Sequence, residues 1–163
     1  MIETPRLRLR SPRLSDVPAL FAFMGDTAAM RHTHAHDTPR ALRRYLAAHR
    51  CQSRKTGCGP WTVLDRATSQ IIGFGGLYED PFDPGWGVEL AYFFTPEVWG
   101  RGLASELATA SIAASRSLRL TELRAFAHPA NAGSLRVLEK AGFRKDRFVP
   151  EMDRDLYRLA LPS

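Results

Sequence analysis

A glycine-rich turn at residues 99–104, with the sequence WGRGLA, has the composition of an anion-binding site. It follows an apolar, strand-like stretch at 88–94 and precedes a segment with helical spacing. The first N–H groups of a helix have no intrahelical acceptor and lie at the positive end of the helix dipole. Gly100 and Gly102 let a ligand approach the backbone, and Arg101 adds a positive charge. The turn therefore predicts a site for phosphate or pyrophosphate, and the alternative is an ordinary strand-to-helix connection.

A second polar pair lies in the segment 131–143, NAGSLRVLEKAGF. Asn131 and Ser134 are three residues apart and share one side of the first turn of a predicted helix. Gly142 is expected to end this helix, and three apolar residues form its buried face: Leu135, Val137 and Leu138. Asn131 and Ser134 either contact a ligand or serve as a helix cap and an ordinary helix serine.

The elements that must position these residues are predicted in the order β-α-α-β-β-β-α-β-α-β-β. This is an α+β pattern, a mixed sheet with about four helices against it. No linker or repeat divides the chain, so we expect one domain spanning 1–163. The predicted strands are near 7–9, 61–65, 70–78, 88–94, 122–127, 143–148 and 154–161, and the predicted helices are near 17–24, 39–54, 102–116 and 131–141.

Composition limits the classes of function. The chain has 163 residues and a formal net charge of +6, which fits attraction to anionic ligands. It has no nucleic-acid-binding motif, no apolar run long enough to span a membrane and no secretory leader, so we expect a cytoplasmic protein. Cys51 and Cys58 are the only cysteines and are expected to be structural or incidental.

Two predicted loops flank the site candidates. The loop 25–38 contains three alternating histidines, which form either a metal site or a polar wall near the substrate entrance: His32, His34 and His36. No carboxylate-rich pattern completes a metal site, so none is predicted. The loop 79–87 carries Phe82 and Trp86, which are candidates to line an acceptor site, whereas Trp61 is expected in the core.

Together, the two motifs resemble those of the GNAT superfamily of acetyl-CoA-dependent N-acyltransferases, and nearly the whole chain takes part in the resemblance. The branch it is most similar to acetylates the N-termini of ribosomal proteins (RimJ/RimL-like). The matching segments are TPRLRLR for the opening strand, GFGGL for the third strand, VELAYFFTPEVWGRGLASE for the fourth strand and pyrophosphate loop, and NAGSLRVLEKAGF for the asparagine–serine helix. Trp99 departs from the Gln or Arg frequent in the superfamily, but an aromatic residue there looks usual for this branch.

The resemblance implies how acetyl-CoA is held. The pyrophosphate would bind backbone N–H groups of the turn that Trp99 opens: Gly100, Arg101, Gly102, Leu103 and Ala104. In the family the fourth and fifth strands splay apart, and pantetheine pairs with backbone in the gap. Phe94 would pair with pantetheine, and an N–H near Tyr92 or Phe93 would polarise the thioester carbonyl. Asn131 would hydrogen-bond the cofactor arm.

Two side chains are the candidates for proton transfer. Ser134 would lie near the sulfur, where its hydroxyl could protonate the leaving thiolate. Glu89 is the best candidate for the general base, which takes a proton from the attacking amine directly or through water. Strand alternation puts Glu89 on the face of Phe93 and not on that of Leu90. The alternative for Glu89 is an edge-strand carboxylate that faces solvent.

The predicted function is transfer of an acetyl group from acetyl-CoA to a primary amine by direct attack, since no cysteine lies in a motif position to act as nucleophile. A protein or peptide N-terminus is favoured as acceptor because of the branch that the sequence resembles. A polyamine or an antibiotic amine stays open as acceptor, as does the choice between monomer and homodimer. The rival functions are a non-catalytic CoA-binding module and, on charge alone, a nucleic-acid-binding domain.

Overall fold

The computed structural model describes residues 1–162, and Ser163, the last residue of the predicted domain, lies outside the described residues. Eight strands form one sheet: β1 (Ile2–Glu3), β2 (Leu7–Arg10), β3 (Trp61–Asp65), β4 (Ile71–Tyr78), β5 (Glu89–Phe94), β6 (Glu122–Ala127), β7 (Arg144–Val149) and β8 (Arg154–Ala160). Four α-helices accompany them: α1 (Val17–Met24), α2 (Pro39–Thr56), α3 (Leu103–Ser115) and α4 (Ala132–Lys140). Within residues 1–162, none of the helices is long and apolar enough to cross a membrane.

The strands follow the order β1-β2-β3-β4-β5-β6-β8-β7 across the sheet. All neighbours are antiparallel except β5 and β6, which are parallel and share a single partnered pair, Glu89 with Arg124. On its other edge β5 pairs with β4 along its whole length, from Glu89 opposite Tyr78 to Phe94 opposite Gly73. The sheet therefore opens between β5 and β6 beyond Glu89. Because β1 was not among the predicted strands, β5 and β6 are the fourth and fifth predicted strands, between which the resemblance implies a gap.

The two faces of the sheet carry different helices. Phe74 and Phe93 pack with residues of α1 and α2 on one face, whereas Leu90 packs with residues of α3 and α4 on the other. Because side chains alternate along a strand, Glu89 lies on the same face as Phe93, and Tyr92 lies on the opposite face. The face predicted for Glu89 follows directly from this alternation.

The ends of α2 illustrate how local sequence sets the boundaries. The Thr38 hydroxyl accepts a hydrogen bond from the Ala41 N–H at 3.0 Å, and Pro39 occupies the first helical position. Gly57 ends the helix with a φ of +79°, in the left-handed region that glycine adopts most easily. The helix reaches Thr56, two residues beyond the predicted end near Arg54.

Two local features differ from the sequence predictions. The strand β1 was not predicted, because two residues are too few to show a periodicity. Asp16 occupies the N-cap position of α1, where an aspartate is expected to cap the helix, but its carboxylate makes no hydrogen bond to that helix. It instead accepts hydrogen bonds from Arg10 at 2.7 and 2.8 Å and from the Thr62 hydroxyl at 2.7 Å. Asp16 thus joins β2, β3 and the start of α1.

Candidate active site

A cleft of about 1030 Å³ occupies the gap between β5 and β6. Its walls include the N-terminal turn of α3 on one side and the first turn of α4 on the other. All but one of the predicted site residues line it: Glu89, Tyr92, Phe93, Phe94, Trp99, Gly100, Gly102, Leu103, Ala104, Asn131 and Ser134. Arg101 is the exception. The structure therefore brings two distant sequence motifs to one cleft, while the roles of the individual residues stay predictions.

Alternate residues of β5 direct their backbone N–H and carbonyl groups into this gap. The Arg124 N–H donates to the Val88 carbonyl at 3.0 Å, so even-numbered residues direct their backbone groups towards β6. Thr95 donates to the Ile72 carbonyl, so odd-numbered residues direct theirs towards β4. The N–H that faces the gap is consequently that of Tyr92 and not that of Phe93. This selects Tyr92 from the two candidates for polarising a thioester carbonyl.

Gly75 on β4 allows the close approach of β5 at this point. A Cβ atom built on Gly75 would collide with the Ala91 carbonyl oxygen and would lie 2.6 Å from the Tyr92 Cα. Both contacts are with backbone atoms, which cannot move aside without shifting the strand. The glycines of the GFGGL segment therefore set the position of the Ala91–Tyr92 backbone in the cleft.

The glycine-rich turn has the backbone conformation that its sequence predicts. Gly100 and Gly102 have φ angles of +73° and +76°, and Gly102 is the N-cap of α3. The N–H groups that follow Gly102 have no intrahelical acceptor and lie beside the cleft, where an anionic group can bind them. The donor set thus fits the pyrophosphate of acetyl-CoA.

A contact from Arg6, near the start of the numbering, holds this turn in place, and no sequence pattern predicts it. The Arg6 guanidinium donates to the Arg101 carbonyl at 2.6 Å and to the Glu106 carboxylate at 2.7 Å. Burial opposes ionisation of Glu106, but hydrogen bonds from Thr4 and Arg6 hold its pKa below the ordinary value. Arg101 therefore contributes its carbonyl to the anchoring of the turn, while its side chain does not line the cleft.

Trp99 closes the end of β5. Its indole N–H donates to the Phe94 carbonyl at 2.8 Å, and the Arg31 guanidinium lies 5.7 Å from the centre of its ring. Because the Trp99 indole hydrogen-bonds to the Phe94 carbonyl, the backbone group of Phe94 that stays available to pantetheine is its N–H. The indole fills the position where the superfamily often has Gln or Arg.

The first turn of α4 is compatible with both alternatives that the sequence left open for Asn131 and Ser134, a helix cap and a ligand contact. Asn131 is the N-cap, and its side-chain oxygen accepts the Ser134 N–H at 3.2 Å. The amide NH₂ of Asn131 lies on the same side chain and stays available to a ligand. The Ser134 hydroxyl lies 3.0 Å from the Tyr92 hydroxyl across the gap, and burial raises the pKa of Tyr92 to about 12.

Glu89 lies at the end of the cleft opposite the pyrophosphate turn. Its side chain is 6% exposed, and no residue within 1–162 hydrogen-bonds its carboxylate. Burial and the charges of Asp80 and Asp83 raise the pKa of Glu89 to about 8, against the opposing effect of Arg124. A carboxyl group with a pKa near neutrality suits proton transfer at physiological pH. Its burial contradicts the alternative of a solvent-facing edge glutamate.

An aromatic cluster forms around Tyr45, and neither Phe82 nor Trp86, the predicted acceptor-site residues, lines the cleft. Tyr45 of α2 stacks on Phe82 with parallel rings 5.7 Å apart, and the ring of His36 lies 4.7 Å from Tyr45. Trp86 packs against Phe126 of β6 instead. Trp61 is partly buried and packs against the core, as predicted. Tyr45 had no sequence signal, because its spacing on α2 matches an ordinary core position.

Of the three alternating histidines, His32 lies apart, whereas the rings of His34 and His36 lie 6.0 Å apart. His32 stacks on His128 at 5.4 Å, and His36 turns towards Tyr45. No group of three or more His, Cys, Asp or Glu side chains that could hold a metal ion occurs among the described residues. His32 and Arg31 instead connect the loop between α1 and α2 to His128 and Trp99, on opposite sides of the gap.

The family of the chain follows from comparison with known proteins. Residues 6–144 match the acetyltransferase (GNAT) domain, and the chain belongs to this family of acetyltransferases. An acetyltransferase of this family from Bordetella pertussis, described as putative, has a similar structure with a TM-score of 0.83 and 27% identity. The alignment covers 98% of each of the two chains. The predicted fold and enzyme class are thereby confirmed.

Two further similar structures carry names that specify acceptors. One is the ribosomal-protein-S5-alanine acetyltransferase of Vibrio fischeri, with a TM-score of 0.74, 17% identity and coverage of 98% and 95% of the two chains. The other is AAC(6')-Ib in complex with ribostamycin and coenzyme A, with a TM-score of 0.76, 17% identity and coverage of 94% and 93%. At these identities the similarity extends to the fold alone.

Proposed function

We propose that this acetyltransferase moves an acetyl group from acetyl-CoA to a primary amine by direct attack, with a protein or peptide N-terminus as the favoured acceptor. The observation that carries the proposal is the position of Glu89. A buried carboxylate without a hydrogen-bond partner lies at the end of the β5–β6 gap, beyond the residues expected to hold the thioester. An amine that enters at this end meets a base next to the acyl group.

The chain offers binding groups for each part of acetyl-CoA, which supplies an activated acyl group as a thioester. The N–H groups of Gly100 to Ala104 would hold the pyrophosphate, with the turn fixed by Arg6. The N–H of Phe94 and the side-chain NH₂ of Asn131 would bind the pantetheine arm. The Tyr92 N–H would donate to the thioester carbonyl oxygen, where negative charge develops during attack.

Glu89 would accept the proton that the amine loses. The carboxyl group must be ionised to do so, and its pKa of about 8 keeps an ionised fraction at neutral pH. The reference pKa of a peptide α-amine is about 7.7–8.0, against about 10.4 for lysine, so an N-terminus needs less help from a base. This difference supports the N-terminal acceptor, as does the similarity to the RimJ/RimL-like branch.

Ser134 and Tyr92 would assist the departure of the sulfur. The resemblance suggested that Ser134 protonates the thiolate, but a thiol has an ordinary pKa of about 8.5, well below that of either hydroxyl. Tyr92, with its pKa raised to about 12, keeps its proton at working pH and would donate it to the Ser134 hydroxyl when that hydroxyl donates to the sulfur. We therefore assign to Ser134 a hydrogen bond that stabilises the thiolate rather than a complete proton transfer.

The proposal is tested by competition among acceptors in the presence of acetyl-CoA. Peptides with free N-termini, lysine peptides with blocked N-termini, polyamines and aminoglycosides are mixed, thiol release is followed, and mass spectrometry locates the acetyl group. We expect acetylation at peptide N-termini. Acetylation confined to polyamines or aminoglycosides would overturn the acceptor and keep the reaction. Binding of acetyl-CoA without turnover of any amine would favour the non-catalytic module.

A further inference from the structure

Charge is distributed unevenly along the cleft. The carboxylates of Asp80 and Glu89 line it near the start of β5. The basic lining residues include Arg31, which lies over Trp99, and Trp99 is hydrogen-bonded to Phe94 at the other end of the strand. Five residues of extended chain separate Glu89 from Phe94, or about 17 Å. This exceeds the screening length of about 8–10 Å at physiological salt, so the two ends attract different groups.

Asp80 is held in a fixed position by its own loop. Its Oδ1 atom accepts the Phe82 N–H at 2.8 Å, which leaves the Oδ2 atom available beside the cleft. No described residue donates a hydrogen bond to Oδ2 of Asp80 or to the carboxylate of Glu89, although Glu89 is 6% exposed. The two acidic groups thus face one recess, and among residues 1–162 no cationic side chain forms a hydrogen bond or ion pair with either of them.

Arg124 lies beside this recess, but its guanidinium donates hydrogen bonds to other groups. It lies opposite Glu89 on the neighbouring strand. Its Nε atom donates to Glu122 at 2.9 Å, and its Nη1 atom donates to the carbonyl of Trp86. The positive charge of Arg124 lowers the pKa of Glu89, but burial and the charges of Asp80 and Asp83 outweigh this effect, so the pKa stays raised. The recess therefore stays negative and favours a cationic ligand.

We propose that Asp80 and Glu89 together bind the reacting amine as an ammonium ion, so that the enzyme selects amines that carry no carboxylate on the same carbon. This inference rests on the proposed acetyl transfer at the same site. A primary ammonium ion has three N–H bonds. Asp80 accepts a hydrogen bond from one of them, and Glu89 removes the proton of another, which frees the nitrogen lone pair for attack. The C–N bond then forms, the C–S bond breaks, and the second proton that the nitrogen loses neutralises the leaving thiolate.

The selection follows from electrostatic repulsion. In a free amino acid the carboxylate is two bonds from the nitrogen and would lie against Asp80 and Glu89. Arg31 is too distant to compensate it. In the N-terminal residue of a peptide, an uncharged amide replaces that carboxylate. N-terminal residues and simple amines therefore fit the recess, whereas free amino acids are excluded from it.

Matched pairs of probes test this selection: tyramine with tyrosine, and phenylalaninamide with phenylalanine. We expect kcat/KM of the carboxylate-free member to exceed that of its partner at least about tenfold, because like charges in contact are strongly disfavoured. Asp80→Asn keeps the oxygen that accepts the Phe82 N–H and removes the charge. In this variant the ratio should fall to within about threefold, because both amines lose the hydrogen bond to Asp80 while only the carboxylate-bearing amine is relieved of repulsion.

Asp65→Asn is the matched control, because Asp65 likewise accepts the N–H two residues further on, that of Ala67 at 2.8 Å, and does not line the cleft. It should keep the wild-type ratio. Calorimetry with the CoA-loaded protein provides a readout that needs no turnover: tyramine should bind the wild type and bind Asp80→Asn at least about tenfold more weakly.

The outcomes separate the two proposals. Acetylation of peptides combined with equal use of tyramine and tyrosine, or with an unchanged ratio in Asp80→Asn, would overturn the role of Asp80 and leave the acetyl transfer in place. Failure of both tyramine and phenylalaninamide to bind the wild type would also overturn it. Binding of these amines without turnover of any acceptor would instead contradict the acetyl transfer.

Discussion

The Tyr92 hydroxyl on β5 lies 3.0 Å from the Ser134 hydroxyl on α4, and this hydrogen bond spans the gap in the sheet. The Tyr92 hydroxyl also lies 3.3 Å from the Ser134 carbonyl oxygen. The two residues come from the two motifs that the sequence predicts to bind acetyl-CoA. Their contact means that a hydroxyl assigned to the leaving group is itself held and polarised by a second hydroxyl.

We predict that Tyr92→Phe and Ser134→Ala each lower kcat about 10- to 100-fold, the usual size of a lost hydrogen bond to a charged group. Because the hydroxyls act in series, the double variant should be about as slow as the slower single variant. Steady-state kinetics with acetyl-CoA at saturation provides the measurement. The control is Ser115→Ala, which removes a buried helix hydroxyl that binds the Ile112 carbonyl outside the cleft. Fully additive losses would show that the hydroxyls act independently.

Glu89→Gln should lower kcat by about 10²–10⁴-fold near pH 8 while acetyl-CoA binding changes little, since it removes a base without changing the side chain's shape. In the wild type, kcat/KM should rise with pH and level off above the Glu89 pKa of about 8, because only the ionised carboxylate accepts a proton. A pH–rate profile and calorimetry measure the two effects. Normal turnover of the variant at all pH values would make Glu89 structural.

The stability of the Glu89 variant provides an independent check. The folded-state pKa is raised, so the protonated form favours the folded state, and stability is lost as pH rises towards and through about 8. Glu89→Gln has no such titration. Its melting temperature should therefore match the wild type near pH 5 and exceed it at pH 9. Equal melting temperatures at pH 9 would mean that the carboxylate is well solvated.

Gly102→Val should weaken acetyl-CoA binding at least about tenfold, because a branched side chain at this position would occupy the place of the pyrophosphate. Gly57→Val is a matched control. Gly57 has a φ of +79° against +76° for Gly102, so the backbone strain is equal, but Gly57 ends α2 away from the cleft. Calorimetry should show wild-type affinity, in the micromolar range, for the control. Similar losses in both variants would assign the effect to strain alone.

The sequence predicted what depends on local pattern. Period-two alternation indicated β5, and the left-handed conformations of Gly100 and Gly102 follow from residue type. The sequence did not predict the anchoring of the turn by Arg6, because that contact joins residues about a hundred positions apart in the chain. Asp80 was missed for a related reason. A carboxylate in a loop is ordinary until the fold places it beside Glu89.

His49 of α2 gives the chain a predictable sensitivity to acid. It is 1% exposed, and neither ring nitrogen has a hydrogen-bond partner among residues 1–162. Burial, with a smaller effect of His36, lowers its pKa to about 4. The unfolded chain takes up a proton near pH 6.5, and the folded chain resists it until about pH 4. The contribution of His49 to the free energy of unfolding should therefore fall as pH drops through this range, by about 3 kcal/mol at most, while that of Glu89 changes in the opposite direction.

Denaturant unfolding between pH 7 and pH 4 measures this contribution. The free energy of unfolding of His49→Leu should increase relative to the wild type as pH falls, because an apolar side chain replaces the buried ring while Glu89 titrates in both proteins. The control His34→Leu changes an exposed histidine and should keep the wild-type slope. Asp16 also loses stabilising contacts on protonation, but its folded-state pKa is lowered, so stability is lost only as pH falls below the ordinary aspartate pKa of about 3.9, and this effect is common to all three proteins. A wild-type slope in His49→Leu would mean that the ring is hydrated.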